Sequence, residues 1–299
     1  MKSFTALFLL LGLSNTASAA SCCGGGFAFP ALIMGDDKAQ LTTSLNYAEV
    51  TDDVLANKKW IKRGDGNHSQ TFKIEAATLL SDTVQTGISV PVTTRTIANE
   101  NSTGLGDIAL TLGHETLPER SYSRWKPKGR TFLQVIAPTS PSIYDAMNTL
   151  ASDSRGRGFF TVGGGVALVK IFGRYDANAS LELHKSFARD FTSPANGGTI
   201  TATPGFGHGW SIGGGWNKGD FRLGTSFSGL YEDAVKISGA QTSNGAIQKN
   251  VTWSTMLNYM QGMESAWTLS YADQTLFGSP ENTSLSKTIT LSYQTRWQR

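Results

Sequence analysis

The sequence predicts an all-β chain: a transmembrane antiparallel β-barrel of about twelve strands, after a cleaved signal peptide. Three observations predict it. Segments of about ten residues alternate apolar and polar side chains along most of the chain. Short and long connections alternate between them. Aromatic residues gather at the segment ends. About ten tilted strand residues cross a bilayer. A wall with lipid on one face and water on the other must alternate with period two.

The start of the chain reads as a secretory signal over 1–19. Lys2 supplies the charge, Ala6 to Leu13 an apolar run, and Ala17-Ser18-Ala19 a small-residue cleavage site. That run is too short to stay as a transmembrane helix, which needs about 20 residues, and no long apolar stretch follows it. Residues 20–37 read as a periplasmic leader or plug, and 38–299 as the barrel. Charged residues make up 16% of the chain, below the roughly 25% of ordinary soluble domains. The formal charge of +3 is too small to argue for nucleic acid. Four His and two Cys are too few for an evident metal or disulfide framework.

The last strand is the clearest. From Leu285 to Trp297 the odd positions read Leu, Lys, Ile, Leu, Tyr, Thr, Trp, and the even positions are polar. The first strand sets Leu41, Thr43, Leu45 and Tyr47 against Thr42, Ser44 and Asn46. The second sets Phe72, Ile74, Ala76, Thr78 and Leu80 against Thr71, Lys73, Glu75 and Ala77. The third sets Val84, Thr86, Ile88, Val90 and Val92 against Gln85, Gly87, Ser89, Pro91 and Thr93. The fourth places Ile108, Leu110 and Leu112 on one face. A weaker fifth covers Arg130 to Ala137, and a sixth runs from Phe159 to Phe172. The seventh sets Tyr175, Ala177, Ala179, Leu181, Leu183 and Phe187 against Asp176, Asn178, Ser180, Glu182, His184 and Ser186. The eighth, about Thr203 to Trp216, is glycine-rich. The ninth sets Phe221, Leu223, Phe227 and Tyr231 against Arg222, Gly224, Ser226 and Ser228. The tenth carries Val251, Trp253, Leu257 and Tyr259. The eleventh carries Trp267, Leu269, Tyr271 and Phe277, with Asp273 out of pattern and read as a bulge or a register slip.

The connections at 81–82, 173, 217–220 and 259–267 are short. Those at 48–68, 97–104, 138–158, 188–199, 232–250 and 278–284 are longer. Segment 117–128 breaks the alternation and carries four basic residues, suited to a solvated turn or to anionic headgroups. Outer-membrane barrels place short turns on the periplasmic side and long loops outside. Trp216, Tyr259, Trp267 and Trp297 then fall at the short-turn end, and Tyr47, Phe187, Tyr231 and Trp253 at the long-loop end. Such girdles suit the headgroup layers, where an aromatic ring keeps one edge wet.

The candidate lumen and selectivity residues are Lys73, Glu75, Asp107, Glu115, Asp176, Glu182, His184, Arg222 and Arg296. They would tune a water-filled pore or brace the wall as ion pairs. Cys22 and Cys23 are candidates for lipidation, a thiol–disulfide pair or soft-metal contact, or are structural bystanders. His184 and Ser186 share a face, but two strand residues separate them by about 7 Å, so a catalytic dyad is not expected. The runs Gly163–Gly165 and Gly213–Gly215 lack a following helix and Lys-Ser/Thr pair, so they do not read as phosphate loops. In strands they allow bending or close approach of a plug.

Thr103-Gly104-Leu105-Gly106-Asp107-Ile108, leading into Ala109–Leu112, resembles the strand-opening GLGD segment of an outer-membrane family named after the MetA pathway of phenol degradation. That family is similar to channels of the fatty-acid-transporter type. The chain departs from the pattern in ending Trp297-Gln298-Arg299 rather than on the aromatic itself. The resemblance implies a passive channel for small hydrophobic or aromatic solutes in a bacterial outer membrane. The alternatives are a structural or surface-interaction barrel with a filled lumen and, third, an outer-membrane lipid hydrolase. The expected partners are outer-membrane lipid, barrel-assembly machinery and a small-molecule solute. No catalytic residue, metal or cofactor is expected.

Overall fold

The computed structural model describes residues 30–35, 37–119, 123, 125–192, 197–240 and 242–299. The expected signal at 1–19, residues 20–29 of the expected leader, and Cys22 and Cys23 lie outside them. Twelve wall strands follow in chain order: β1 (Asp37–Val54), β2 (His68–Leu79), β3 (Val84–Ile97), β4 (Ile108–Leu117), β5 (Lys128–Ala137), β6 (Thr161–Phe172), β7 (Tyr175–Ser186), β8 (Phe206–Lys218), β9 (Phe221–Glu232), β10 (Gln248–Gln261), β11 (Ser265–Asp273) and β12 (Thr283–Gln298). Each pairs antiparallel with its chain neighbours, and β12 returns to β1 with Leu45 opposite Leu291 and Tyr47 opposite Ile289. The sheet is therefore closed. Closure removes the unpaired edge that a bilayer cannot satisfy.

The alternation has the physical cause the sequence suggested. Leu45 is 56% exposed and Ser44 beside it 7%. Phe72, Ile74, Leu110, Leu112, Leu181, Leu183, Leu223, Leu269 and Leu291 all lie on the outer surface. Gln85, Arg130, Gln134, Thr161, Glu182 and His184 are buried. The wall is inside out relative to a soluble domain: apolar side chains form its exterior, and mostly polar ones line the lumen. Trp216, Tyr259, Trp267, Trp297, Tyr47 and Phe187 are exposed on the outside, with Tyr231 and Trp253 half-buried. Tyr259 lies opposite both Phe221 and Trp267, a row along the short-turn end. Three of the tight turns carry a glycine in the left-handed region, Gly173, Gly219 and Gly262, at φ of 61°, 57° and 69°.

Three local expectations change. Asp273 is neither bulge nor slip: it pairs in regular register with Trp253 and Lys287. It ends β11 as a cap, accepting from Thr275 N at 2.7 Å, Thr275 Oγ1 at 2.6 Å and the Tyr271 hydroxyl at 2.9 Å. Phe277 consequently lies in the loop. The long connections also hold strands of their own. Trp60–Lys62 pairs antiparallel with the end of β1, and Glu100–Leu105 pairs with β3. Arg189–Thr192, Thr199–Thr203, Lys236–Gly239 and Ser243–Asn244 form a separate four-stranded sheet. These rim strands stand beyond the apolar belt, where no lipid imposes alternation.

Candidate functional site

The site is the lumen with what occupies its two ends. At the short-turn end, residues 30–35 lie against the inner face of β3–β5. Ile33 is fully buried, and its N–H donates to Gln85 Oε1 at 2.8 Å. Gln40 Nε2 donates to the Leu32 carbonyl at 3.1 Å, and Lys128 Nζ to the Gly35 carbonyl at 3.4 Å. Two glycines make the seat. A Cβ on Gly87 would collide with the Ala31 carbonyl, and one on Gly113 would stand 2.7 Å from Leu32 Cδ2. The triple-glycine runs do other work. Gly165 admits the Phe132 ring, and Gly215 admits the Arg222 guanidinium.

Opposite this seat a chamber of about 390 Å³ opens, lined among others by Thr42, Arg222, Asn258, Thr268, Ser292 and Gln294. Arg222 makes a two-point bond to Asp176, with Nε to Oδ2 at 2.8 Å and Nη2 to Oδ1 at 2.6 Å, and reaches Asn258 at 3.2 Å. Arg296 reaches Met260 Sδ at 3.3 Å. Lys73 pairs with Glu75 at 3.0 Å. Glu115 receives Arg130 at 3.3 Å and Lys128 at 3.8 Å, beside the seated segment.

At the long-loop end, segment 138–160 crosses the mouth as a strap. Arg95 of β3 donates to the Ser154 carbonyl at 3.2 Å. Arg155 reaches Ser102 at 2.7 Å. Asp107 accepts from Ser140 Oγ at 2.8 Å, Ser140 N at 3.3 Å and Arg157 N at 2.7 Å. On the far side the Arg157 guanidinium meets Glu232 of β9 at 2.5 Å. β3 and β9 are six strands apart in a ring of twelve, so they face each other across the barrel. The GLGD segment thereby has a structural reason. Gly104 leaves room for the Arg155 side chain, Gly106 lies against Pro91, and Asp107 binds the strap backbone. From Leu105 opposite Val92 to Ala109 opposite Ser89, four steps on one strand meet three on its partner. This bulge turns Asp107 towards the strap. Asp107 is a rim clamp rather than a residue of the open lumen.

Glu182 and His184 lie on the inner face of β7 below the strap. His184 Nδ1 is 2.5 Å from Glu182 Oε1, and Nε2 is 2.8 Å from Glu232 Oε1. Ser186 bonds Thr161 Oγ1 at 2.7 Å. Both imidazole nitrogens thus face carboxylates and neither faces Ser186, so these residues do not form a hydrolase dyad.

Between the strap and the outer sheet lies a cup lined by Ile143, Tyr144, Phe159, Val235 and Ala246, with Arg157, Glu232, Gln248 and Asn282 among its polar walls. Phe159 and Phe191 meet edge to face at 5.6 Å, and Tyr144 lies 5.0 Å from Phe191. Burial pushes the Tyr144 phenol up to about 12, so it stays neutral.

This architecture matches a solved barrel. The COG4313 outer membrane channel from Pseudomonas putida F1 superposes with a TM-score of 0.70 and 13% identity, over 92% of this chain and 98% of that one. The fold is that of an outer-membrane channel. The Pseudomonas putida toluene transporter TodX aligns more loosely, with a TM-score of 0.49 and 10% identity over 91% of this chain and 92% of that one. The sequence matches no protein-family model and no curated protein. The barrel agrees with the architecture that the GLGD resemblance implied.

Several residues of the site escaped the sequence reading. Arg95 and Glu232 continue the inward-facing positions of β3 and β9 past the point where those strands were expected to end. Extending the strands by two residues and one residue reaches them. Arg130 lies in β5, whose pattern is weak because Phe132 and Ile136 also face inward and are buried. Arg157 sits in a loop, where no periodicity marks it.

Proposed function

We propose that the protein is a bacterial outer-membrane channel for passive uptake of small solutes with an apolar, often aromatic, body. The observation that carries this is the apolar cup of Tyr144, Phe159 and Val235 at a mouth that otherwise presents ion pairs and backbone polar groups. The solved barrel with the same fold is itself described as an outer membrane channel. In this reading a solute docks in the cup, passes the strap and enters the polar chamber. Residues 30–35, as part of the leader, narrow the periplasmic exit. Arg222, braced by Asp176, sets the charge preference of the chamber.

Purified full-length mature protein in planar bilayers and vesicles tests this. Stable conductance steps are expected, shifted towards cations by Arg222→Gln. Vesicles should admit a phenyl glycoside faster than a plain sugar of equal size. A folded protein that is electrically silent and admits neither compound would reject the channel reading and favour a filled structural barrel.

A further inference from the structure

We propose that Glu232 is a proton-released latch that holds the strap 138–160 across the mouth. One carboxylate oxygen, Glu232 Oε1, receives both Arg157 Nη2 at 2.5 Å and His184 Nε2 at 2.8 Å. The other ring nitrogen, Nδ1, faces Glu182 at 2.5 Å. A neutral imidazole donates from one nitrogen only. With a carboxylate at each nitrogen, the arrangement is satisfied when the ring carries both protons. Two carboxylates, one imidazolium and one guanidinium then sum to zero charge. His184, Glu182 and Glu232 are buried, and the balance is what makes that burial tolerable.

The surroundings hold the cluster to this composition. Opposite His184, β6 and β8 present Gly163 and Gly207. A Cβ on Gly207 would collide with the imidazole and lie 2.6 Å from Glu232 Oε2. Asp107 holds the Arg157 backbone from the other side, and Asp233 beside the latch is occupied by Tyr231 at 3.0 Å. Arg157 is therefore fixed at both ends, by its amide to Asp107 just before β4 and by its guanidinium to β9.

A proton added to Glu232 changes this. The acid no longer neutralises two cations, and Arg157 and His184⁺ are left facing each other. The strap loses its side-chain hold on β9, while Arg95 and Asp107 keep one side and the Gly158 and Phe160 carbonyls stay bonded to Arg189 and the Phe187 amide at the strap's end. Loss of the imidazole proton instead leaves Arg157 on its carboxylate, so alkali does not release the strap. The sign follows: the latch holds at neutral pH, where the carboxylate is charged, and yields when acid protonates it. As a gate this rests on the channel reading above. As a latch it does not.

Amide exchange over residues 141–160 in the full chain in lipid vesicles, corrected for intrinsic pH dependence, reads the strap directly. In Arg157→Gln, a loop substitution that leaves the wall intact, exchange there should rise at least about tenfold at neutral pH. Glu232→Gln should behave alike. In both, the ratio of strap exchange at acid pH to that at neutral pH should shrink relative to wild type. Strap exchange as slow in Arg157→Gln as in wild type, in protein that keeps its heat-modifiable band, overturns the latch. Faster strap exchange with unchanged bilayer conductance supports the latch and counts against the strap as a gate, whereas electrically silent wild-type protein with the same exchange result supports the latch and counts against the channel reading.

Discussion

Gly87 and Gly113 lack side chains at positions where residues 30–35 fill the space beside them. Gly87→Val tests what that space is for. Valine suits a strand, but its Cβ would run into the Ala31 carbonyl. The wall should fold, the segment should be expelled, and single-channel conductance should rise. Unchanged conductance would mean that the seated segment does not limit flow. The role of this residue was half legible. Alternation placed Gly87 on the inner face of β3, but what it faces is a segment some fifty residues away, and only the closed barrel brings the two together. The same holds for Glu232. The period-two pattern of β9 points it inward, while the Arg157 that gives it meaning comes from a loop with no pattern.

The wall strands and the elements that close the barrel obey different rules. Each wall strand is dictated by two solvents, so its sequence alternates and its position could be read, although β1 runs seven residues past Tyr47 into the segment read as a loop. The strap and the outer sheet are held by scattered side-chain and backbone bonds, among them those of Arg95, Asp107 and Arg157, and by one small apolar cluster of Phe159, Phe191, Ile200 and Ala202. Nothing in that arrangement repeats along the chain, and the rim strands were read as loops. The leader falls between these cases. Its position before β1 suggested a plug, and residues 30–35 touch the wall through Gln85, Gln40 and Lys128. Deleting 22–35 should therefore raise conductance in planar bilayers with no loss of the heat-modifiable band. A deletion variant that conducts like the parent would reject a plugging role for the leader.

For the whole molecule, stability comes from closure and from matching the outer face to lipid. The pairing of β12 with β1 runs from Asp37 to Val54, along strands of 18 and 16 residues. Leu45 stands on the outer face of this seam. Leu45→Arg should destabilise the folded barrel by about 2–4 kcal/mol if the residue lies at the bilayer midplane, and less nearer the interfaces. Urea unfolding in vesicles measures it. A change below about 0.5 kcal/mol would mean that this face does not meet hydrocarbon. The strand number and the inward and outward faces of the wall strands were determined by the sequence itself, because a bilayer imposes one local rule on every wall strand. The seat of residues 30–35, the strap across the mouth and the Glu182–His184–Glu232–Arg157 cluster were decided only by the tertiary structure. They depend on which strands face each other across the ring, and closure, not local alternation, sets that distance.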